Sequence, residues 1–120
     1  MMSAMHEMSI AIKIVELAEA EARAAGARRI NRVEVEVGAL AGVLADSLRF
    51  CFEAACRATL AEGAELAIVE IAGLGQCASC GEEGPLAELL ALCPACGGFM
   101  RPLKGRELRL LSLNIDEREG

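Results

Sequence analysis

Cys77-Ala78-Ser79-Cys80-Gly81 and Cys93-Pro94-Ala95-Cys96-Gly97 are two C-x-x-C-G knuckles with twelve residues between them. Thiolates two residues apart can reach one ion from a tight turn, and two such pairs complete a tetrahedron of soft donors, the arrangement zinc prefers. A glycine after each second cysteine lets the turn adopt positive φ, so that backbone N–H groups can aim at the sulfurs. Pro94 pre-sets the turn of the second knuckle. Redox chemistry of a single C-x-x-C pair does not account for the repeated knuckle. Iron in a rubredoxin-like site fits less well, because the knuckle spacing is short and aromatic packing is missing. With all four positions filled by protein, none is left for a catalytic water, so the expected Zn(2+) is structural, one per chain. Cys51 and Cys56 lie five apart on an expected helix and read as small buried core residues. His6, the only histidine, sits in Ala4-Met5-His6-Glu7-Met8-Ser9.

The elements that must position these residues follow from periodicity. Met8, Ala11, Ile12, Val15, Ala18 and Ala22 recur at three- and four-residue steps, predicting a helix over Met8 to Ala25 stopped by Gly26. Arg32 to Val37 alternates strictly, as a strand with one buried face does. Asp46 or Ser47 can cap a second helix whose inner side carries Leu48, Cys51, Phe52, Ala55 and Thr59. Glu65 to Ile71 reads as a strand, and Leu111 to Asp116 alternates again. Between these last two the chain turns rich in Gly, Cys and Pro, without helical periodicity except over Leu86 to Leu92. The expected fold class is α+β, with two helices on a small three-stranded sheet and an inserted four-cysteine, zinc-ribbon-like module. The body is 1–73 plus 107–120, and the module is 74–106.

Composition excludes several function classes. The 120 residues carry a net charge of −6 and three Phe with no Trp or Tyr, which leaves little to stack on bases and repels a phosphate backbone. The cysteine module balances Arg101, Lys104 and Arg106 against Glu82, Glu83 and Glu88, so it lacks a nucleic-acid footprint. No uncharged apolar run approaches the ~20 residues of a membrane helix, and no basic n-region opens the chain. A cytoplasmic protein is expected, in which six cysteines are metal ligands or buried thiols. There is no nucleophile elbow, no phosphate-cradling loop and no second histidine to pair with a cysteine, so an enzyme is not expected.

The Met5-His6-Glu7-Met8-Ser9 start, the Val33 to Gly38 strand, Ser47 to Glu53, Ala61 to Leu66, the four knuckle cysteines in register and Leu113-Asn114-Ile115-Asp116 together resemble the HypA/HybF family of hydrogenase-maturation nickel metallochaperones. The resemblance covers nearly the whole chain. It implies that Ni(2+) is a transient cargo bound at the Met-His-Glu segment by His6, Glu7 and Met5, with His6 supplying its imidazole and amide and Glu7 an amide nitrogen. Ni(II) favours such a planar field of nitrogen donors, and protonation of the imidazole offers a release route. The partners implied are the maturation GTPase (HypB-like) and the hydrogenase large-subunit precursor. In the family the amine of the initiating Met is a further donor. Here Met1-Met2-Ser3-Ala4 precede Met5, so weaker nickel binding is expected than for a chain starting at Met5. Some relatives carry histidines just after the knuckles. Gly81 and Gly97 stand there in this chain, so a His/Cys ligand exchange at the zinc is not expected. The alternative from another class is a zinc-ribbon interaction adaptor without a nickel role.

Overall fold

The computed structural model describes residues 2–117 and, within the first helix, side chains from His6 onward. Eight elements follow in order: α1 (Met2–Ala24), β1 (Ala27–Gly38), α2 (Ala45–Cys56), β2 (Glu65–Ile71), β3 (Leu74–Cys77), β4 (Glu83–Pro85), β5 (Met100–Lys104) and β6 (Leu108–Glu117). They form two three-stranded sheets, ordered β2-β1-β6 and β4-β3-β5. Two helices with a small three-stranded sheet, and a cysteine-bearing module ahead of the last strand, are the architecture expected from the sequence. The chain divides into two compact units, Met1–Val35, Val43–Val69 and Arg109–Gly120 in one, Glu36–Gly42 and Glu70–Leu108 in the other.

In the first unit α1 packs against α2. The helix begins at Met2 and not at Met8, so the whole Met5-His6-Glu7 segment is helical. Met, Ala, His and Glu include no helix breaker, and nothing in the segment ends the helix early. Its inner stripe is Glu7, Ala11, Ile14, Val15, Ala18 and Ala22, all buried, with the three- and four-residue steps of one helix face. Ile12, expected inside, is 45% exposed. β1 starts five residues before the expected strand, and its Val33 and Val35 are fully buried.

α2 presents Leu48, Cys51 and Phe52 to the core as its pattern requires, but it buries Cys56 in place of the expected Ala55, which is only partly buried. Asp46 and Ser47 do not cap it: the N-cap is Leu44, which makes no capping bond of its own. Thr59 lies beyond the end of α2, where its hydroxyl donates to the Cys56 carbonyl (2.6 Å) and accepts from the Ala61 N–H (3.0 Å), tying the turn toward β2. Ile30 donates to Leu60 (2.8 Å) and Arg32 pairs with Glu65 (3.6 Å), contacts that climb together as a parallel β1–β2 pair joined through α2 requires. On the other side of β1, Ser112 donates to Glu34 and Asn31 to Asp116, the opposite order of an antiparallel neighbour.

In the second unit β3 pairs antiparallel with β4 and β5, with a register shift at Leu74/Gly75. Leu86 to Leu92, the one stretch with helical periodicity there, forms no helix. Leu86 is instead buried with Cys77, Cys93 and Met100 in a small core against which Leu40 and Ala91 pack. Backbone crossing is tight beside it. Leu40 donates to the Gly105 carbonyl (2.6 Å), and a Cβ on Gly38 would stand 2.1 Å from the Gly105 carbonyl carbon and oxygen. No helix among the described residues is long and apolar enough to cross a membrane.

Candidate metal sites

The two knuckles fold alike because they are held by the same three devices. The first cysteine of each donates its N–H five residues ahead, Cys77 to Glu82 (2.9 Å) and Cys93 to Gly98 (2.7 Å). The glycine closing each turn donates back to that cysteine, Gly81 to Cys77 (3.0 Å) and Gly97 to Cys93 (2.8 Å). Both glycines have φ of 79°, a conformation side chains with a Cβ rarely adopt. β3 delivers Cys77 from its last residue, and the Leu92–Phe99 bridge closes the loop around the second knuckle.

Folded this way, the knuckles bring the sulfurs of Cys77, Cys80, Cys93 and Cys96 within 4.8 Å of one another. Cys77 and Cys96 stand 3.4 Å apart, and Cys80 and Cys93 stand 3.8 Å apart. A tetrahedral ion with metal–sulfur bonds of about 2.3 Å requires sulfur separations of about 3.8 Å, which this cluster fits. Cys77 and Cys93 are buried, whereas Cys80 and Cys96 are exposed.

Electrostatics also call for a cation. The backbone N–H of Cys80, followed by that of Ser79, points at the Cys77 sulfur (3.4 and 3.3 Å) and lowers its pKa to about 6. Cys80 is pushed up to about 12: a backbone N–H from Glu82 favours its thiolate, but the neighbouring Cys77 sulfur and burial outweigh it. One thiolate is stabilised by the fold, and further ones are opposed by it. Four negative sulfurs this close need a positive charge among them.

Cys51 and Cys56 stand apart from this cluster and are buried. Burial, followed by the negative charge of Glu19, raises Cys56 to about 11, which makes it an inert core thiol.

The other candidate residues lie in the first turns of α1. His6 is exposed, and Glu7 beside it is completely buried. The Glu7 carboxylate accepts the Leu44 N–H (2.9 Å) through one oxygen and the Ser47 hydroxyl (3.3 Å) through the other. It thereby supplies the N-terminal cap that α2 does not provide for itself, and it brings negative charge to the positive end of that helix. Sequence reading missed this role of the Glu7 side chain and the parts of Leu44 and Ser47 in it. The signal was present: Glu7 is four residues before Ala11, on the buried stripe. The Met5 side chain lies outside the described residues. Among the described residues the four cysteines are the only group of metal-ligating side chains, so the structure gathers no second side chain around His6.

Fold and site together define a small α+β protein with a four-cysteine metal module inserted ahead of its last strand. Residues 5–115 match the family model described as "Hydrogenase/urease nickel incorporation, metallochaperone, hypA". Hydrogenase maturation factors HypA from Chlorobium phaeobacteroides and Chlorobaculum tepidum are 48% and 50% identical to this chain, covering 93% of it and all of their own length. The solution structure of the Ni metallochaperone HypA from Helicobacter pylori matches with a TM-score of 0.68 at 26% identity, over 93% of this chain and 98% of that one. A second HypA solution structure matches with a TM-score of 0.67 at 29% identity, over 92% of this chain and 96% of that one. The chain belongs to the HypA family.

Proposed function

We propose that this protein carries nickel during hydrogenase maturation, binding Ni(II) around His6 and holding one structural Zn(II) at Cys77, Cys80, Cys93 and Cys96. Family membership and a nickel metallochaperone among the matching structures support the nickel role. The observation that carries the division of labour is the closed cluster of four sulfurs. Four thiolates in a tetrahedron are the pattern of structural zinc, which leaves no open position for exchange. The bound zinc would supply charge and cross-linking, and the knuckle amides would hold the sulfurs in place. Carriage rather than catalysis is the activity, in the cytoplasm. A GTPase partner (HypB-like) and the hydrogenase large-subunit precursor would take part in delivery.

The helical state of the Met5-His6-Glu7 segment constrains how nickel is taken up. In a helix starting at Met2 the N–H groups of His6 and Glu7 bond to carbonyls four residues earlier. Chelation by consecutive backbone nitrogens requires those bonds to open and the amides to lose their protons. Uptake therefore unwinds the start of α1. Glu7, anchored by its carboxylate to Leu44 and Ser47, is the point where the unwinding stops. Release reverses the step, and re-formation of the helix helps to expel the metal.

Nickel titration followed by calorimetry and amide NMR tests this reading. One nickel per chain is expected beyond the metal on the cysteines, with loss of the amide signals of residues 5–7 and unchanged signals from Ala11 onward. His6→Ala should abolish that nickel while leaving the cysteine-bound metal. Equal nickel binding by His6→Ala would overturn the proposal. Zinc alone, with no nickel bound by the parent chain, would favour the adaptor reading.

A further inference from the structure

The six charges of the cysteine module balance in number, but the fold sorts them by sign. Its sheet runs β4-β3-β5, so β4 and β5 are the two edges. Glu83 pairs across to Gln76, and Gln76 to Arg101, so one row across the sheet reads acidic, neutral, basic. Two strand spacings, about 10 Å, hold the glutamate and the arginine too far apart to form an ion pair. Glu82 directly precedes Glu83 on the acidic edge, whereas Lys104 ends β5 and Arg106 follows it. Arg101, Lys104 and Arg106 are all exposed, and among the described residues no side chain pairs with any of them.

The end of β5 is shaped as well as charged. In its pairing with β3, Gly75 faces Pro102 and Leu74 faces Lys104, so Leu103 is an extra residue in the edge strand. Such a bulge turns side chains out of the ladder, and Leu103 is 48% exposed beside Lys104. A pocket of about 290 Å³ opens there, lined by Pro102, Leu103, Lys104, Arg106 and Glu107. The one carboxylate in it is already engaged, since Glu107 accepts the Gly105 N–H (2.7 Å). Backbone pairing along this edge is blocked at its start: the Met100 N–H is taken by the Ala91 carbonyl (3.3 Å), and Pro102 has none. Recognition here is left to side chains, three cations around an apolar floor.

We propose that this edge is a docking site for an acidic segment of a partner protein, with carboxylates set against Arg101, Lys104 and Arg106 and an apolar side chain seated in the pocket at Leu103. Charge complementarity selects that occupant. A short acidic segment meets only the three cations, because the acids of β4 lie beyond a Debye length of about 8 Å. A phosphate polymer or an anionic membrane extends past the patch and meets the rest of a chain whose net charge is −6. Nothing in this docking depends on a metal at His6.

Amide NMR of the full, zinc-loaded chain, titrated with an end-blocked peptide of the pattern Glu-Glu-Leu-Glu-Glu, reads the site directly. Shifts are expected at Arg101 and from Leu103 to Glu107, and affinity should fall about tenfold as salt is raised to about 0.5 M. Lys104→Glu combined with Arg106→Glu should weaken binding by about tenfold or more, and Leu103→Ser by about threefold. All three residues are exposed, so these variants should keep the parent's circular dichroism and melting behaviour. Glu82→Gln combined with Glu83→Gln, on the other edge, should leave binding unchanged, and a peptide with lysine in place of glutamate should leave these amides unmoved. Absence of binding at millimolar peptide overturns the proposal. So does parental binding by the folded double-reversal variant, or inorganic phosphate that moves the same amides as strongly as the peptide. Shifts of these amides on concentrating the chain alone would give the edge to a second copy and overturn it as well.

Discussion

Replacing Glu7 separates its structural work from its part in nickel binding. Its carboxylate is fully buried and makes two bonds, to the Leu44 N–H at 2.9 Å and to the Ser47 hydroxyl at 3.3 Å. Glu7→Ala removes the cap of α2, a loss of about 0.5–2 kcal/mol. The Leu44 N–H loses its partner in that step, a cost kept within this range because Leu44 is exposed and water can reach it. A loss of about 0.5–2 kcal/mol, toward the upper end because two bonds are removed, is expected. Glu7→Gln keeps an oxygen for Leu44 and nearly the same volume but discards the charge at the helix end, which costs about 0.5–1 kcal/mol. The Ser47 bond is long, so Ser47→Ala should cost less than ~1 kcal/mol. Urea unfolding gives the three values, and amide exchange should lose protection at Leu44 in Glu7→Ala before any core strand does. Glu7→Gln retains the backbone amide, so it should still bind one nickel, whereas loss of nickel in that variant would make the carboxylate a ligand. A Glu7→Ala protein within about 0.5 kcal/mol of the parent, with Leu44 still protected, would refute the capping argument.

Four further outcomes are expected. Stripping the metal with a chelator should abolish amide protection in β3, β4 and β5, whose small core includes the proposed ligands Cys77 and Cys93, and re-adding zinc should restore it. Cys56, raised to about 11 from 9.0, should react with a thiol reagent at pH 8 about a hundredfold more slowly than a free thiol from its ionisation alone. Since that pKa is raised on folding, the stabilisation it reflects is complete below pH 9.0 and is lost as pH rises to about 11. Cys56→Ala should flatten the alkaline arm of the stability profile. Gly38→Ala places a Cβ 2.1 Å from the Gly105 carbonyl and should destabilise by about 3 kcal/mol or more, measured by thermal melting.

The parts of this fold legible in the sequence are those whose cause is local. Knuckle geometry depends on cysteine spacing and on a glycine at each turn, so the four-sulfur cluster can be read from the two knuckles themselves. The alternation through Val33, Val35 and Val37 is likewise set by the strand's own period. The place of Glu7 is not legible, because a carboxylate on a helix is ordinarily solvent-facing. What buries it is an N–H and a hydroxyl thirty-seven and forty residues later. Anchoring the stripe on Met8 and Ile12 instead rotates the expected face and starts the helix late. The small sheet of the cysteine module is unreadable for a different reason. Its strands are three to five residues long and carry Gly and Pro, so propensity argues against them. The knuckles bring them together.

Holding a metal and handing one over place opposite demands on the backbone, and this chain meets them in different secondary structures. A resident ion is best served by ligands whose neighbouring amide bonds can stay made, as the paired N–H bonds to Glu82, Gly98, Cys77 and Cys93 can. None of these bonds competes with a sulfur for the ion, so release gains no hydrogen bond and is slow. A cargo bound at the Met5-His6-Glu7 segment, on the reading proposed above, competes with the hydrogen bonds of α1. Each helical bond opened is worth about 1 kcal/mol, so opening the two at His6 and Glu7 weakens nickel by about 2 kcal/mol, or roughly thirtyfold in affinity. That penalty is returned on release. The same helix that would carry the nickel ligands is therefore what keeps the site from becoming a trap.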